Sequence, residues 1–166
     1  LDRSYLKMSQ SLYEQDFQLW IEQTIASLKE RDFNALDIDH LIEELADLGK
    51  SDKRSLESNL VLLLTHLLRL KVQQNVPEMM KNKWHESINE HRLHIERSLQ
   101  DSPSFKSSLD TAIQSAYPNA RKLAIKDSQN AILGVRIPKA DEYPQTCPFS
   151  VEQILDEDFY GLEKNG

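Results

Sequence analysis

LDIDHLIEELADLGKSDKRSLESNLVLLLTHLLRLKVQ, residues 36–73, is the stretch that decides the fold of this chain. Its apolar residues recur at steps of three and four, which is the spacing of one face of an α-helix. Asp37 is suited to cap the start of a helix, and Gly49 is suited to cap its end. The stretch therefore predicts two amphipathic helices joined at Gly49, which we name helix B (37–49) and helix C (52–74).

Helix C carries more apolar surface than one core-facing helix needs. One stripe consists of Leu56, Leu60, Leu63, Leu67 and Leu70, and an adjacent stripe consists of Val61, Leu64 and Leu68. At ~100° per residue the two stripes cover about half of the circumference. Helix C is therefore either surrounded by its own bundle or lends one stripe to a second chain.

Further helices are predicted on both sides of this stretch. Helix A (13–31) and helix B each have an apolar inner face, formed by Phe17, Trp20, Ile21, Thr24 and Leu28 and by Ile38, Leu41, Ile42, Leu45 and Leu48. Helix D (78–100) follows Pro77, helix E begins at Phe105, and a capping box of Ser150 and Gln153 starts a short helix at Val151. We predict an all-α, antiparallel bundle of four or five helices with this short C-terminal helix. It forms a single domain of residues 1–166, with a loose arm at 1–12 and an irregular segment at 131–148.

Composition excludes several classes of protein. The chain has 166 residues, 4 Gly and 6 Pro, which favours one helical domain over a β-rich or disordered chain. Its one cysteine, Cys147, cannot form an internal disulfide, which is typical of a reducing cytosol. No run approaches the ~18 apolar residues of a membrane span, and the first residues lack the apolar segment of a secretion signal. We expect a cytoplasmic protein with no membrane partner.

Charge is spread unevenly along the chain, whose net charge is −7. Residues 1–49 hold 4 Lys/Arg and 11 Asp/Glu, residues 50–139 hold 15 and 9, and residues 140–166 hold 1 and 7. Either the acidic ends complement the basic middle within the fold, or the basic middle binds nucleic acid. Helix B also has an acidic outer face, which is either simply solvated or binds a basic partner. It consists of Asp39, Glu43, Glu44 and Asp47.

One candidate polar cluster interrupts the apolar pattern. Glu57 falls inside the apolar arc of helix C, and His91 and Arg92 fall on or beside the apolar face of helix D. A carboxylate in that position needs a partner, so we expect Glu57 to pair with Lys53, Arg92 or Arg121. The structural interpretation is a buried ion pair beside a hydrogen-bonded core histidine, and the functional one is an acid–base site.

No metal or cofactor is predicted. Di-iron bundles use Glu-x-x-His on two helices, and here no Glu is followed by His three residues later. His91 and His94 are spaced so that they could share a metal, but separate histidines are the simpler interpretation.

Six blocks along the chain carry a family resemblance: LYEQDFQLW, the 36–73 stretch, the W-x-x-S-I-x-x-H-R pattern that starts at Trp84, DSPS, AYPNAR and CPFSVEQILDEDF. In this order they resemble the bacterial family known as domain of unknown function 29, over about residues 13–159. The resemblance implies a compact all-helical protein of bacterial, cytoplasmic origin, and it implies no activity. The stretch VPEMMKNK before Trp84 looks longer and more helical than the Ser-rich link of the family, which leaves the start of helix D open.

Three functions remain open. The first is a non-enzymatic protein–protein interaction module that self-associates, as a homodimer, through helix C or a neighbouring helix. The second is a nucleic-acid-associated accessory protein that uses residues 50–139. The third is an enzyme or metal protein centred on Glu57, His91 and Arg92, which would need those residues to meet in a pocket open to solvent.

Overall fold

The structure is a computed structural model that describes residues 11–130 and 134–164. Its regular elements are α1 (Leu12–Gln15), α2 (Phe17–Glu30), α3 (Ile38–Val72), α4 (Glu78–Asp101), α5 (Phe105–Ser128) and α6 (Val151–Leu155). Short 3-10 turns lie at Phe33–Ala35 and Ala140–Glu142. All regular elements in the described ranges are helical, which confirms the predicted all-α bundle with its short C-terminal helix. None of these described helices is long and apolar enough to cross a membrane.

Helices B and C form one continuous helix, so the predicted end at Gly49 is wrong. Gly49 has no positive φ, and the left-handed backbone of a helix C-cap is absent there. A glycine inside a helix costs about 1 kcal/mol relative to alanine, and the good helix formers on either side of Gly49 outweigh that cost. Asn75 to Pro77 do end α3 and precede α4, as predicted.

The chain divides into two compact units, which we name unit 1 (Leu1–Ser51) and unit 2 (Asp52–Gly166). Unit 1 contains α1, α2 and the first part of α3, and unit 2 contains the remaining helices. The predicted arm at residues 1–12 lies outside the described residues except for Ser11, which caps α1, and Leu12. The predicted irregular segment at 131–148 begins with three residues outside the described ranges, and its remainder holds only the 3-10 turn.

Unit 2 has a continuous hydrophobic core. Both stripes of the predicted helix C, which is the second part of α3, lie in this core. Leu60, Leu64 and Leu68 are fully buried against α4, α5 and the C-terminal segment. Of the two alternatives for helix C, the protein's own bundle is therefore the one observed. The α4 and α5 faces that complete the core include Ile88, Ile95, Ile113, Ala116 and Ala120.

The C-terminal segment is tied onto unit 2 by specific contacts. The Ser150 hydroxyl accepts from the backbone N–H of Gln153 at 3.1 Å, which confirms the predicted capping box. Gly161 has a φ of +90°, and a Cβ added there would lie 2.6 Å from the backbone oxygen of Leu67. Only glycine permits both this backbone conformation and this close approach.

Candidate interaction surface

Unit 1 is held together at one end by aromatic and polar contacts around Tyr13. The Tyr13 ring stacks on His40 with 4.0 Å between ring centroids, and it meets Trp20 edge-on at 5.0 Å. Its hydroxyl donates to the carboxylate of Glu44, and this acceptor raises the pKa of Tyr13 to about 12. His40 also lies 2.6 Å from Asp37, and this hydrogen bond raises the pKa of His40. These contacts fix α1 and α2 against the first turns of α3.

Next to these contacts, α2 and the first part of α3 leave an apolar groove of 290 Å³. From α2 it is lined by Phe17, Trp20, Ile21, Thr24, Ile25 and Leu28, and from α3 by Leu41, Glu44, Leu45 and Leu48. All five predicted inner-face residues of helix A line this groove, whereas Leu41, Leu45 and Leu48 line it from the predicted face of helix B and Ile38 and Ile42 do not. The predicted face of helix B is not buried as an inner face should be, since Leu45 and Leu48 are each 61% exposed.

Seven of the exposed large apolar residues of unit 1, leaving out Leu19 and Phe33, make up what we name the open face. Each residue of an α-helix is rotated by ~100° from the one before it. On α3, Ile38, Ile42, Leu45 and Leu48 therefore lie within an arc of about 120° and form one stripe. Including its α2 members, the open face comprises Phe17, Ile25, Leu28, Ile38, Ile42, Leu45 and Leu48. Apolar patches of this kind on an otherwise polar surface mark interaction sites.

The predicted acidic face of helix B is only partly present. Asp39, Glu43 and Asp47 are exposed on α3, as expected. Glu44 is instead half-buried, because it accepts the Tyr13 hydrogen bond and lines the groove. Glu44 is therefore a structural contact of unit 1, and three acidic residues remain on the outer surface.

Glu57, His91 and Arg92 do not form the predicted cluster, because each has different partners. Glu57 is half-buried and accepts a hydrogen bond from the Ser115 hydroxyl at 3.3 Å. The Nδ1 of His91 lies 2.9 Å from the Asn59 side-chain oxygen, and burial lowers the pKa of His91. Within the described ranges no hydrogen bond or ion pair joins any two of the three.

Arg92 serves the C-terminal segment. It is 3% exposed, and its guanidinium donates to the backbone oxygens of Ile154 at 2.8 Å and Phe159 at 2.9 Å. The guanidinium carbon also lies 5.9 Å from the centre of the Tyr160 ring. A guanidinium satisfied by carbonyl oxygens in this way is an anchor for chain segments.

Several other basic residues of the 50–139 segment are also used within unit 2. Arg121 donates to the backbone oxygens of Tyr143 and Ala140, and the guanidinium of Arg69 lies 4.3 Å from the centre of the Trp84 ring. Arg136 pairs with Glu142 at 2.7 Å. Part of the positive charge of this segment therefore holds the fold together.

Metal-binding and thiol chemistry find no support in the described part of the chain. No three His, Cys, Asp or Glu side chains of residues 11–130 and 134–164 gather closely enough to hold a metal ion. The rings of His91 and His94 are 6.4 Å apart. Burial raises the pKa of Cys147, whose sulfur lies 3.5 Å from the Phe149 oxygen, so its reactive thiolate form is disfavoured.

Fold and surface together define the class: an all-helical protein with one well-packed unit and one unit that presents an open apolar face. Residues 12–160 match the family described as "Domain of unknown function DUF29". Because the match covers most of the chain, the protein belongs to the DUF29 family, which confirms the resemblance drawn from the sequence. No match was found among curated proteins or among solved structures.

Proposed function

We propose that this protein is a non-enzymatic protein–protein interaction module that self-associates through the open face of unit 1. The observation that carries the proposal is the exposure of the face, where Ile42, Leu45 and Leu48 are 60%, 61% and 61% exposed. Apolar side chains at helical spacing on two neighbouring helices fit a partner that also presents helices. A second copy brings such a surface with it.

The area of the open face supports a second copy as the partner. If a bare large apolar residue exposes roughly 180 Å², the exposed fractions of the seven residues amount to about 650 Å². Specific interfaces bury about 800 Å² on each partner, and polar residues at the rim supply part of that area. Two copies meeting through this face would pair two helices with two helices, which is the arrangement of a four-helix bundle.

The test is the oligomeric state of the wild-type protein and of Leu45→Lys, measured by sedimentation velocity and native mass spectrometry. We expect a dimer for the wild type and a monomer for Leu45→Lys, because the substitution places a charge in the middle of the apolar contact. Since Leu45 is mostly exposed in the single copy, the helical circular dichroism should not change.

The matched control is Met79→Lys, which places the same charge on an apolar residue of unit 2 that is 72% exposed. It should leave the dimer intact. The protein concentration is raised in 100-fold steps to about 100 µM, which lies in the range of weak specific complexes. A wild-type protein that stays monomeric at every step would refute the self-association.

A further inference from the structure

We infer that unit 1 carries a pH-sensitive latch, in which protonated His40 holds α1 and α2 against the start of α3. The latch consists of His40, its carboxylate partner Asp37 and the Tyr13 ring on which His40 stacks. The inference goes beyond the proposed function, because the latch closes within a single copy. Only its consequence for self-association rests on that function.

Tyr13 connects the latch to the groove of unit 1. Its ring stacks on that of His40, with 4.0 Å between the ring centroids and 17° between the ring planes. The Tyr13 ring also meets Phe17 and Trp20 edge-on at 5.5 and 5.0 Å, and both of these α2 residues line the groove. The Tyr13 hydroxyl donates to Glu44, which lines the groove from α3. A contact that holds the Tyr13 ring in place therefore holds both walls of the groove together.

The charged groups around His40 favour its protonated form. The Nδ1 of His40 lies 2.6 Å from the Asp37 carboxylate, and the carboxylates of Glu43 on α3 and Glu14 on α1 favour the positive charge from farther away. The groups that α2 brings to the latch are the two uncharged aromatic rings at Tyr13. No lysine or arginine among residues 11–51 is hydrogen-bonded or ion-paired to a latch residue. Partial burial of the imidazole opposes the charge, but the hydrogen bond to Asp37 outweighs it.

Protonation strengthens both contacts of His40. A hydrogen bond to a carboxylate is stronger when the donor is a cation, and the face of a tyrosine ring attracts a cation within about 6 Å of its centre. Neutral His40 retains only the weaker, uncharged form of these contacts. The hydrogen bond to Asp37 raises the pKa of His40 above the ordinary 6.5. The contribution of the latch to stability is therefore complete below pH 6.5 and is lost as the pH rises through the folded-state pKa.

Unit 1 is sensitive to such a contact because it buries little apolar surface. Among its described residues only Trp20 is buried. Segments with few buried apolar contacts open locally with a small change in free energy, so one charged contact changes the fraction that is closed. Opening separates the α2 part of the open face from its α3 part. The dimer that we propose should therefore be weaker at alkaline pH.

The experiment is hydrogen exchange of the full chain, followed by mass spectrometry at a concentration where single copies dominate. After correction for the intrinsic exchange rate, the protection of the α2 amides should fall about fivefold between about pH 6 and pH 9. The α4 and α5 amides should show no such fall, because the pKa of the buried His66 in unit 2 is lowered to about 4. An NMR titration of the His40 ring should give a pKa above 6.5.

Three variants assign the fall in protection to the latch. His40→Gln keeps a donor for Asp37 and has no ring to protonate, so its α2 protection should stay within about twofold across this range. Asp37→Asn keeps a capping residue at the start of α3 and removes the negative charge, so the midpoint of the fall should move toward pH 6.5. His94→Gln is the matched control at an exposed position of unit 2, and it should keep the wild-type fall.

A wild-type protein without the fall would overturn the inference, and so would an equal fall in His40→Gln, which would assign the effect to another group. The two proposals fail separately, since exchange is measured on single copies. If the wild type never dimerises and still shows the fall, the self-association fails and the latch stands. If the wild type dimerises and its α2 exchange does not depend on pH, the latch fails and the self-association stands.

Discussion

Units 1 and 2 share one pattern of apolar residues in their helices, but they bury those residues to different extents. Both contain helices whose apolar residues recur every three or four positions. In unit 2 these stripes meet one another, and 22 of the 23 buried apolar residues of the described chain belong to it. Among the described residues of unit 1 only Trp20 is buried, and nine of the thirteen large apolar residues exposed within residues 11–130 and 134–164 lie in unit 1.

The difference shows that a periodic pattern identifies a face without identifying what covers it. Unit 2 has three long helical segments and a C-terminal segment to enclose its core, so each stripe finds a partner. Within residues 11–51, unit 1 has two helical segments and a single turn of helix, and these elements alone do not surround an apolar interior. A stripe left open in this way is a surface that an interaction can bury.

The largest expected effect compares one leucine from each unit. Leu64→Ala should lower the free energy of unfolding by about 3 kcal/mol, because the fully buried side chain leaves a cavity in the core of unit 2. Leu45→Ala should change it by less than about 0.5 kcal/mol at a concentration where single copies dominate. Urea unfolding of both variants provides the measurement. A loss of equal size at Leu45 would show that the open face is covered within one chain.

A smaller effect is expected where unit 2 holds its C-terminal segment. Arg92→Met keeps the length of the side chain and removes the donors to the Ile154 and Phe159 oxygens, so two buried acceptors lose their partner. We expect a loss of about 2–3 kcal/mol in the free energy of unfolding. Arg97→Met is the control, because Arg97 is exposed on the same helix. Indistinguishable unfolding curves for the two variants would contradict the anchoring role.

The smallest effect over any one pH unit is a pH dependence that belongs to unit 2. Burial lowers the pKa of His66 to about 4, while an unfolded chain has a histidine pKa of about 6.5. The unfolded state therefore binds a proton more readily. The contribution of neutral His66 to stability is complete above pH 6.5 and is lost as the pH falls toward 4, with a slope of at most about 1.4 kcal/mol per pH unit. His66→Gln should flatten this slope in urea unfolding series, and an unchanged slope would assign the effect to other groups.

Much of the fold could be predicted from the sequence, because the local signals agreed with the packing. The start of α4 at Glu78 follows from Pro77, and the short α6 follows from its capping box. Gly49 misled the prediction because its sequence context suits both a helix end and an interior position, and only the flanking residues decide between them.

The candidate site could be predicted only in part. A helical wheel placed Glu57 among leucines, but the long side chain reaches Ser115 at the edge of the core, which periodicity alone does not reveal. Arg92 was singled out correctly as a buried polar residue, whereas its carbonyl acceptors lie more than 60 residues later in the chain. The open face was visible as a pattern, and its exposure depends on the number of helices that unit 1 can bring to cover it.

The positions of the two tryptophans give this molecule a built-in pair of optical reporters. Trp20 lines the groove of unit 1, and Trp84 lies under the guanidinium of Arg69 in unit 2. Because the chain has 2 tryptophans, replacing either one with phenylalanine leaves a fluorophore that reports on a single unit. Events at the groove and events in the core can thus be followed separately, through the emission of two variants that each differ from the wild type at one ring.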